Sequence, residues 1–230
     1  MKKKLIKILI NNRVRIDLLI MQNREQAKII KMIKEGVYSP LKFFNNIKNI
    51  RFGIEVIYNR AEFNGKLGYK TEDWVTAHSF GDKFIIFSQN AIEEYTTHRK
   101  GEFIPIISHE TSHIFLKKMS PQFSTWMNEG LAQNIAKQIQ KQKIKQKNIN
   151  HFVKNSLFKN SNYSRFIEKQ GYEISYKLVN YLLNRYSKEK IFKLLAIRYG
   201  FNRSAEKKFC KILGLKKDEV IHEFITVLRS

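Results

Sequence analysis

Residues 103–116 read Phe-Ile-Pro-Ile-Ile-Ser-His-Glu-Thr-Ser-His-Ile-Phe-Leu, and the five at their centre, His109-Glu110-Thr111-Ser112-His113, decide how the rest of the chain is read. An α-helix turns once every 3.6 residues, so histidines four apart stand one above the other on a single face. Two imidazoles so placed can grip one metal ion, and this is zinc-ligand spacing. Glu110, the next residue along the helix, can reach the open side of such an ion and take a proton from a water held there. The apolar residues on both sides of the motif, Phe103 to Ile107 and Ile114 to Leu116, predict a mostly buried helix. Two histidines and a carboxylate buried together are costly to desolvate without partners, which a metal supplies. The alternative is a helix whose histidines lie exposed and bind nothing.

A catalytic zinc needs a third protein ligand and keeps its fourth position for water. The next helical segment, Trp126-Met127-Asn128-Glu129-Gly130-Leu131-Ala132-Gln133, offers Glu129. Pro121 and a Ser/Gln-containing stretch lie between the motifs as a turn, which gives the second helix room to fold back. Gly130 and Ala132 are small enough for close helix approach, and Trp126 and Leu131 supply apolar packing. Taken alone, Glu129 also reads as an ordinary solvated carboxylate.

The two stretches HETSHIF and WMNEGLAQ together resemble the gluzincin metallopeptidases, most closely the peptidase MA-like families, which pair His-Glu-x-x-His with Trp-x-x-Glu-Gly-x-Ala. Upstream, Ile54 to Tyr58 followed by Ala61-Glu62-Phe63 is similar to the opening strand of such domains. Downstream, Tyr172 to Leu182 resembles the helix that closes the site, with its Tyr-x-x-Ser start. The likeness covers roughly residues 50 to 230. It implies a zincin-like α+β fold, with a small twisted N-terminal sheet packed on the metal-binding helix and a helical C-terminal part after it. Within this plan, residues 1–50 are an N-terminal helical segment and 51–230 the catalytic domain. Its part 51–118 is mixed and carries the His-Glu-x-x-His helix, and 119–230 is helical and carries the third ligand.

The resemblance also implies roles. Zn2+ would be held by His109, His113 and Glu129, with Glu110 as the base. Tyr172, or Tyr176 one turn on, would donate to the developing oxyanion, the alternative being a tyrosine of the core. In zincins the strand running just before the metal helix lies at the sheet edge and takes the substrate as an added strand. Phe84-Ile85-Ile86-Phe87 holds that position, and its other reading is a plain core strand. Many relatives carry an acidic residue where this chain has Gln133. Its side-chain oxygen can accept a hydrogen bond from His109 without adding charge, or the residue can face solvent.

Composition frames these motifs. At 230 residues, 43% hydrophobic, with 17 Phe and 10 Tyr, the chain can bury one sizeable core or two small ones. The lone Cys210 excludes an intramolecular disulfide and any cysteine-based zinc cluster. Lys7, Asn11, Asn12, Arg13 and Arg15 interrupt the apolar start, so residues 1–10 imitate a signal peptide without supplying one. No stretch is apolar for long enough to span a membrane. A soluble, cytoplasmic protein is expected. The basic start could instead lie as an amphipathic helix on an anionic membrane.

A net charge of +23 favours acidic partners. The run Lys137, Lys141, Lys143, Lys145 and Lys147 could follow nucleic-acid phosphates or form a solvated linker. Three functions follow: a zinc peptidase acting on peptides or proteins, a zinc amidohydrolase acting on a non-peptide amide, or a nucleic-acid- or surface-binding protein with a structural or vestigial metal site. His78, His98, His151 and His222 lack metal spacing and read as surface residues.

Periodicity and breakers supply the elements. An amphipathic helix is expected over 13–35, ended by Gly36, and a shorter one over 41–48. Strands are expected over 53–58, 75–79 and 83–88, with Gly81-Asp82 as a turn. Later helices are expected over 173–186, 188–198, 203–212 and 216–228. Gly171, Gly200 and Gly214 punctuate them, and loops fall at 141–150 and at Asn160-Ser161-Asn162.

Overall fold

Residues 3–21 form a β-hairpin where the sequence suggested the start of a helix. The computed structural model describes residues 2–119, 124–140, 142–159, 163–198 and 204–229. Strands β1 (Lys3–Ile10) and β2 (Val14–Met21) pair antiparallel, Ile10 opposite Val14. The physical reason is a period of two: Val14, Ile16, Leu18 and Ile20 are all fully buried, and the residues between them are not. Asn11 and Asn12 make the turn, both at positive φ (47° and 52°), with the Arg13 N–H donating to the Ile10 carbonyl at 3.0 Å. Asparagine tolerates this left-handed backbone, and Arg13 completes a three-residue connection between the paired Ile10 and Val14. The segment that imitates a signal peptide, and that could have been a membrane-surface helix, is thus a strand.

Helix α1 (Gln26–Phe43) begins later than expected and runs through Gly36. Gly36 is there for packing and does not stop the helix. A Cβ at this position would lie 2.7 Å from Ile107 Cγ2, so only glycine lets Ile107 approach. The helix absorbs the expected second helix up to Phe43 and ends three residues after Pro40, whose carbonyl accepts from the Phe44 N–H at 2.8 Å. Arg13 Nη2 then donates to the carbonyls of Phe44 (3.2 Å), Asn45 and Ile47 (2.6 Å), tying the hairpin turn to the end of α1.

Strand β3 (Ile50–Ile57) lies parallel to β2 and starts three residues before the expected strand, its first residues pairing with Val14 to Ile16. Helix α2 (Arg60–Leu67) follows, capped by Asn59, whose side chain accepts from the Glu62 N–H. Strand β4 (Ala77–Phe80) turns at Gly81 into β5 (Lys83–Phe87), and the sheet order is β1-β2-β3-β5-β4. One expectation is overturned here. Phe84 to Phe87 pair with β3 on one side and β4 on the other and are at most 2% exposed, so this strand is interior core with its backbone groups already used. The edge strand beside it is β4.

Alternation assigns the two faces of the sheet. Ser79 stands opposite Phe84 and shares its face, whereas Phe87 points the other way. Phe63 of α2 stacks on Phe87 with ring centroids 4.4 Å apart, which places α2 on the second face. On that face Lys3 bonds Glu55 at 2.7 Å and also reaches Glu62, and Lys66 adds a second cation to Glu55 at 3.0 Å. Burial works against the Glu55 charge, but the two lysines outweigh it and hold the carboxyl below its ordinary range. At the outer flank of the sheet, β1 exposes Leu5 and Leu9 (56% and 55%), with Lys7 between them and Lys4 next to Leu5, both lysines also exposed.

Short helix α3 (Gln89–Tyr95), a single 3-10 turn and α4 (Phe103–Met119) follow β5. The chain divides into two compact units, Met1–Phe115 and Leu116–Ser230, and the sheet belongs to the first. The stretch expected as a separate helical segment, 1–50, instead contributes β1 and β2 to that sheet and, with α1, lies in the first unit.

The second unit is helical: α5 (Thr125–Ile135), α6 (Gln146–Asn155), α7 (Tyr163–Glu168), α8 (Gly171–Arg185), α9 (Lys188–Leu195), α10 (Ser204–Leu213) and α11 (Lys217–Arg229). Its core centres on Trp126. This side chain is fully buried, its Nε1 donates to the Leu157 carbonyl at 3.1 Å, and the rings of Phe152, Phe209 and Phe224 lie within 6.3 Å of it. The lysine-rich stretch expected as a loop is in part helix α6, because Ile149 and Phe152 form a buried stripe while Lys147 stays outside. Gln170 fastens its start, accepting from the Lys145 N–H and Asn148 Nδ2 at 2.9 Å each.

Gly171 opens α8, and Gly214, at φ 76°, follows α10. The turn at Pro121, the loop Asn160–Asn162, Lys141 and Gly200 lie outside the described residues. No helix of the described residues is long and apolar enough to cross a membrane.

Candidate metal centre

Helix α4 presents the two histidines as their spacing requires. His109 Nε2 and His113 Nε2 are 3.0 Å apart, and the rings meet edge to face with centroids 4.6 Å apart. Two nitrogens bound to one tetrahedral zinc at about 2.0–2.1 Å stand roughly 3.3 Å from each other, so the pair is close to ligand geometry. The opposite side of the helix is buried: Ile107, Thr111, Ser112, Phe115 and Leu116 are all inaccessible, and Ser112 Oγ returns its hydrogen to the Ser108 carbonyl at 2.7 Å. Both histidines are half-buried, which excludes the freely solvated alternative.

Glu129, on α5, is 6% exposed and so does not fit the reading as a solvated surface carboxylate. One ligand atom from each of His109, His113 and Glu129 lies within 4.8 Å of the other two, and among the described residues this is the group that could hold a metal ion. Two neutral imidazoles and one carboxylate are a hydrolytic zinc set, so the residues fit the ion that the sequence suggests. Small residues hold α5 in place. A Cβ on Gly130 would lie 2.3 Å from the Ser175 carbonyl and 2.6 Å from Val179 Cγ2, so α5 and α8 touch backbone to backbone there. Asn134 Nδ2 adds a bond to the Tyr176 carbonyl at 3.1 Å.

Glu110 is half-buried, and its Oε2 accepts from Ser79 Oγ at 2.6 Å. The sequence reading did not single out Ser79. Its one signal was parity on the strand, which does not by itself say what the hydroxyl meets.

Gln133 departs from both alternatives drawn for it. At 2% exposure it does not face solvent, and among the described residues its Oε1 accepts no hydrogen bond, so the expected bond from His109 is not made. Tyr172 sits in the first turn of α8, half-buried, its ring edge-on to Phe166 with centroids 5.5 Å apart. Tyr176 is half-buried one turn later. Of the other histidines, His98 is partly buried, with Nδ1 2.6 Å from Glu102 and Nε2 3.1 Å from the Trp74 carbonyl. His78 packs on Phe80.

Of the two edges of the sheet, the one beside β5 is β4. The Phe87 N–H donates to the Thr76 carbonyl at 3.1 Å, which sets the rhythm of the antiparallel ladder. Positions 76, 78 and 80 face β5, so Ala77 and Ser79 turn their backbone N–H and C=O groups outward. No family model matches this chain, and no curated protein matches it.

Proposed function

We propose that this chain is a zinc-dependent metallopeptidase of the zincin type, a reading that also takes up the resemblance to gluzincins. The observation that carries it is the meeting of His109, His113 and Glu129 within 4.8 Å, with Glu110 one residue along the same helix. Zinc held there would supply Lewis acidity and bring the pKa of a water towards about 7.

The protein's own groups do the rest. Glu110 takes the proton of the attacking water as its oxygen bonds the carbonyl carbon, and returns that proton to the amine nitrogen as the C–N bond breaks. Tyr172, with Tyr176 as the other choice, donates to the oxyanion. A peptide laid along β4 as an added strand pairs with the outward backbone groups of Ala77 and Ser79, taking over the role first given to Phe84–Phe87.

The test is metal analysis beside turnover. The purified protein is expected to hold about one zinc per chain. Glu110→Gln is expected to keep the metal and lose hydrolysis of a fluorogenic peptide library by at least about a hundredfold. Retained hydrolysis in that variant overturns the assigned base. Cleavage of simple amides but of no peptide would favour the amidohydrolase.

Charge favours one further reading. Residues 116–230 hold 24 of the 43 basic side chains and 8 of the 20 acidic ones, so +16 of the net +23 lies in the helical unit. A polyanion-binding protein with a structural metal site would show tight binding that weakens steeply with salt, and no turnover.

A further inference from the structure

We propose that Ser79 is a positioning residue that aims the Glu110 carboxylate, so that one residue of the edge strand both pairs with substrate and sets the base. This inference rests on the peptidase reading above. Glutamate has three rotatable side-chain bonds, and on a half-buried helix face it loses little by swinging away from its neighbours. Glu110 is fixed by a donor 31 residues upstream, Ser79 Oγ at 2.6 Å from Oε2. A short hydroxyl-to-carboxylate bond of this kind is among the stronger neutral-to-charged contacts. It occupies one carboxylate oxygen and leaves Oε1 to exchange a proton with the reacting atoms.

The donor sits on a strand anchored to the core: Ser79 stands opposite Phe84, which is fully buried in a strand paired on both sides, and the flanking positions 78 and 80 face that strand. Alternation in β4 does two things at this residue. It sends the side chain to the face that carries α4, and the ladder rhythm sends the backbone N–H and C=O away from β5. A strand added to β4 would therefore grip the main chain of the residue whose hydroxyl holds the base. Strand addition and base alignment are thus joined through one Cα, which favours turnover of extended peptides over compact amides of the same bond type.

The experiment compares wild type, Ser79→Ala and Ser79→Thr. Threonine keeps the hydroxyl and suits a strand. The first readout needs neither metal nor turnover: the 13C signal of the Glu110 carboxyl carbon in metal-free protein, assigned by its loss in Glu110→Gln. It is expected to move in Ser79→Ala and to stay near its wild-type position in Ser79→Thr. The second is steady-state hydrolysis of the peptide library by zinc-loaded protein. Ser79→Ala is expected to lower kcat about tenfold with KM within about twofold and zinc content unchanged, and Ser79→Thr to recover most of the loss.

A Glu110 signal that ignores Ser79→Ala, or a kcat equal to wild type, overturns the role of Ser79 while leaving the peptidase standing. Wild-type protein that binds zinc and cleaves nothing overturns the peptidase reading, and with it any catalytic purpose of this contact.

Discussion

Gly130 shows how much a single missing methyl can decide. Its neighbour Glu129 stays on a helix that lies against α8, because nothing larger than hydrogen separates Gly130 from the Ser175 carbonyl. Gly130→Ala is expected to cost about 1–3 kcal/mol, since backbone must move to admit the Cβ. A lowered urea midpoint with unchanged slope would show it, and an unchanged midpoint would refute the close approach. Glu55 makes the matching electrostatic case. Its carboxyl is held below the ordinary range in the folded state, so its contribution to stability is complete above the unfolded pKa and is lost as pH falls through the folded one. Urea titrations between pH 6 and pH 3 are expected to give a shallower acid decline for Glu55→Gln than for wild type. At this scale the cluster of His109, His113 and Glu129 was legible in the sequence, because helical spacing puts the two histidines on one face and the carboxylate lies on the next helix. Ser79 was not. Its partner is 31 residues away, and no local pattern announces a hydroxyl that finds a distant carboxylate.

Among elements, the β1–β2 hairpin is the clearest difference between reading and structure. Ile and Leu at positions 5, 6, 8, 9 and 10 satisfy a helical period and a strand period alike, so the apolar run could not choose. The strict alternation from Val14 to Ile20 and the Asn11-Asn12 pair could have chosen, and they specify a reversal with two residues at positive φ. Asn12→Gly is therefore expected to leave stability unchanged or raise it by up to about 1 kcal/mol, and Asn12→Val to lower it by about 1–2 kcal/mol. Thermal unfolding of the two variants side by side checks both signs. Equal behaviour would mean that the turn does not set the register. Gly36 was misread for a related reason: glycine ends helices and also lets them touch, and only the position of Ile107 distinguishes the two. The later helices were legible to within a few residues where a single amphipathic stripe ran between glycines. α6 was hidden under its lysines, whose charge lies on the outward face.

At the scale of the whole molecule, the mixed first half and helical second half follow from the change of period along the chain. The positions of the strands in the sheet did not follow from it, since order depends on pairings between distant segments. That is why β4, and not β5, proves to be the edge strand on this side. The sheet ends on its other side at β1, where Leu5 and Leu9 stand exposed among lysines. A flank of this kind offers backbone amides to any copy of itself, and two exposed leucines on one face would reward the match. Lys4 and Lys7 sit where two such flanks would have to meet, and like charges across a ladder repel. Replacing both with threonine is expected to turn a monodisperse preparation into one that scatters light and binds thioflavin within days at concentrations the parent tolerates. The ammonium groups of this strand would then act as a solubility guard, keeping the molecule from becoming the seed of a fibre.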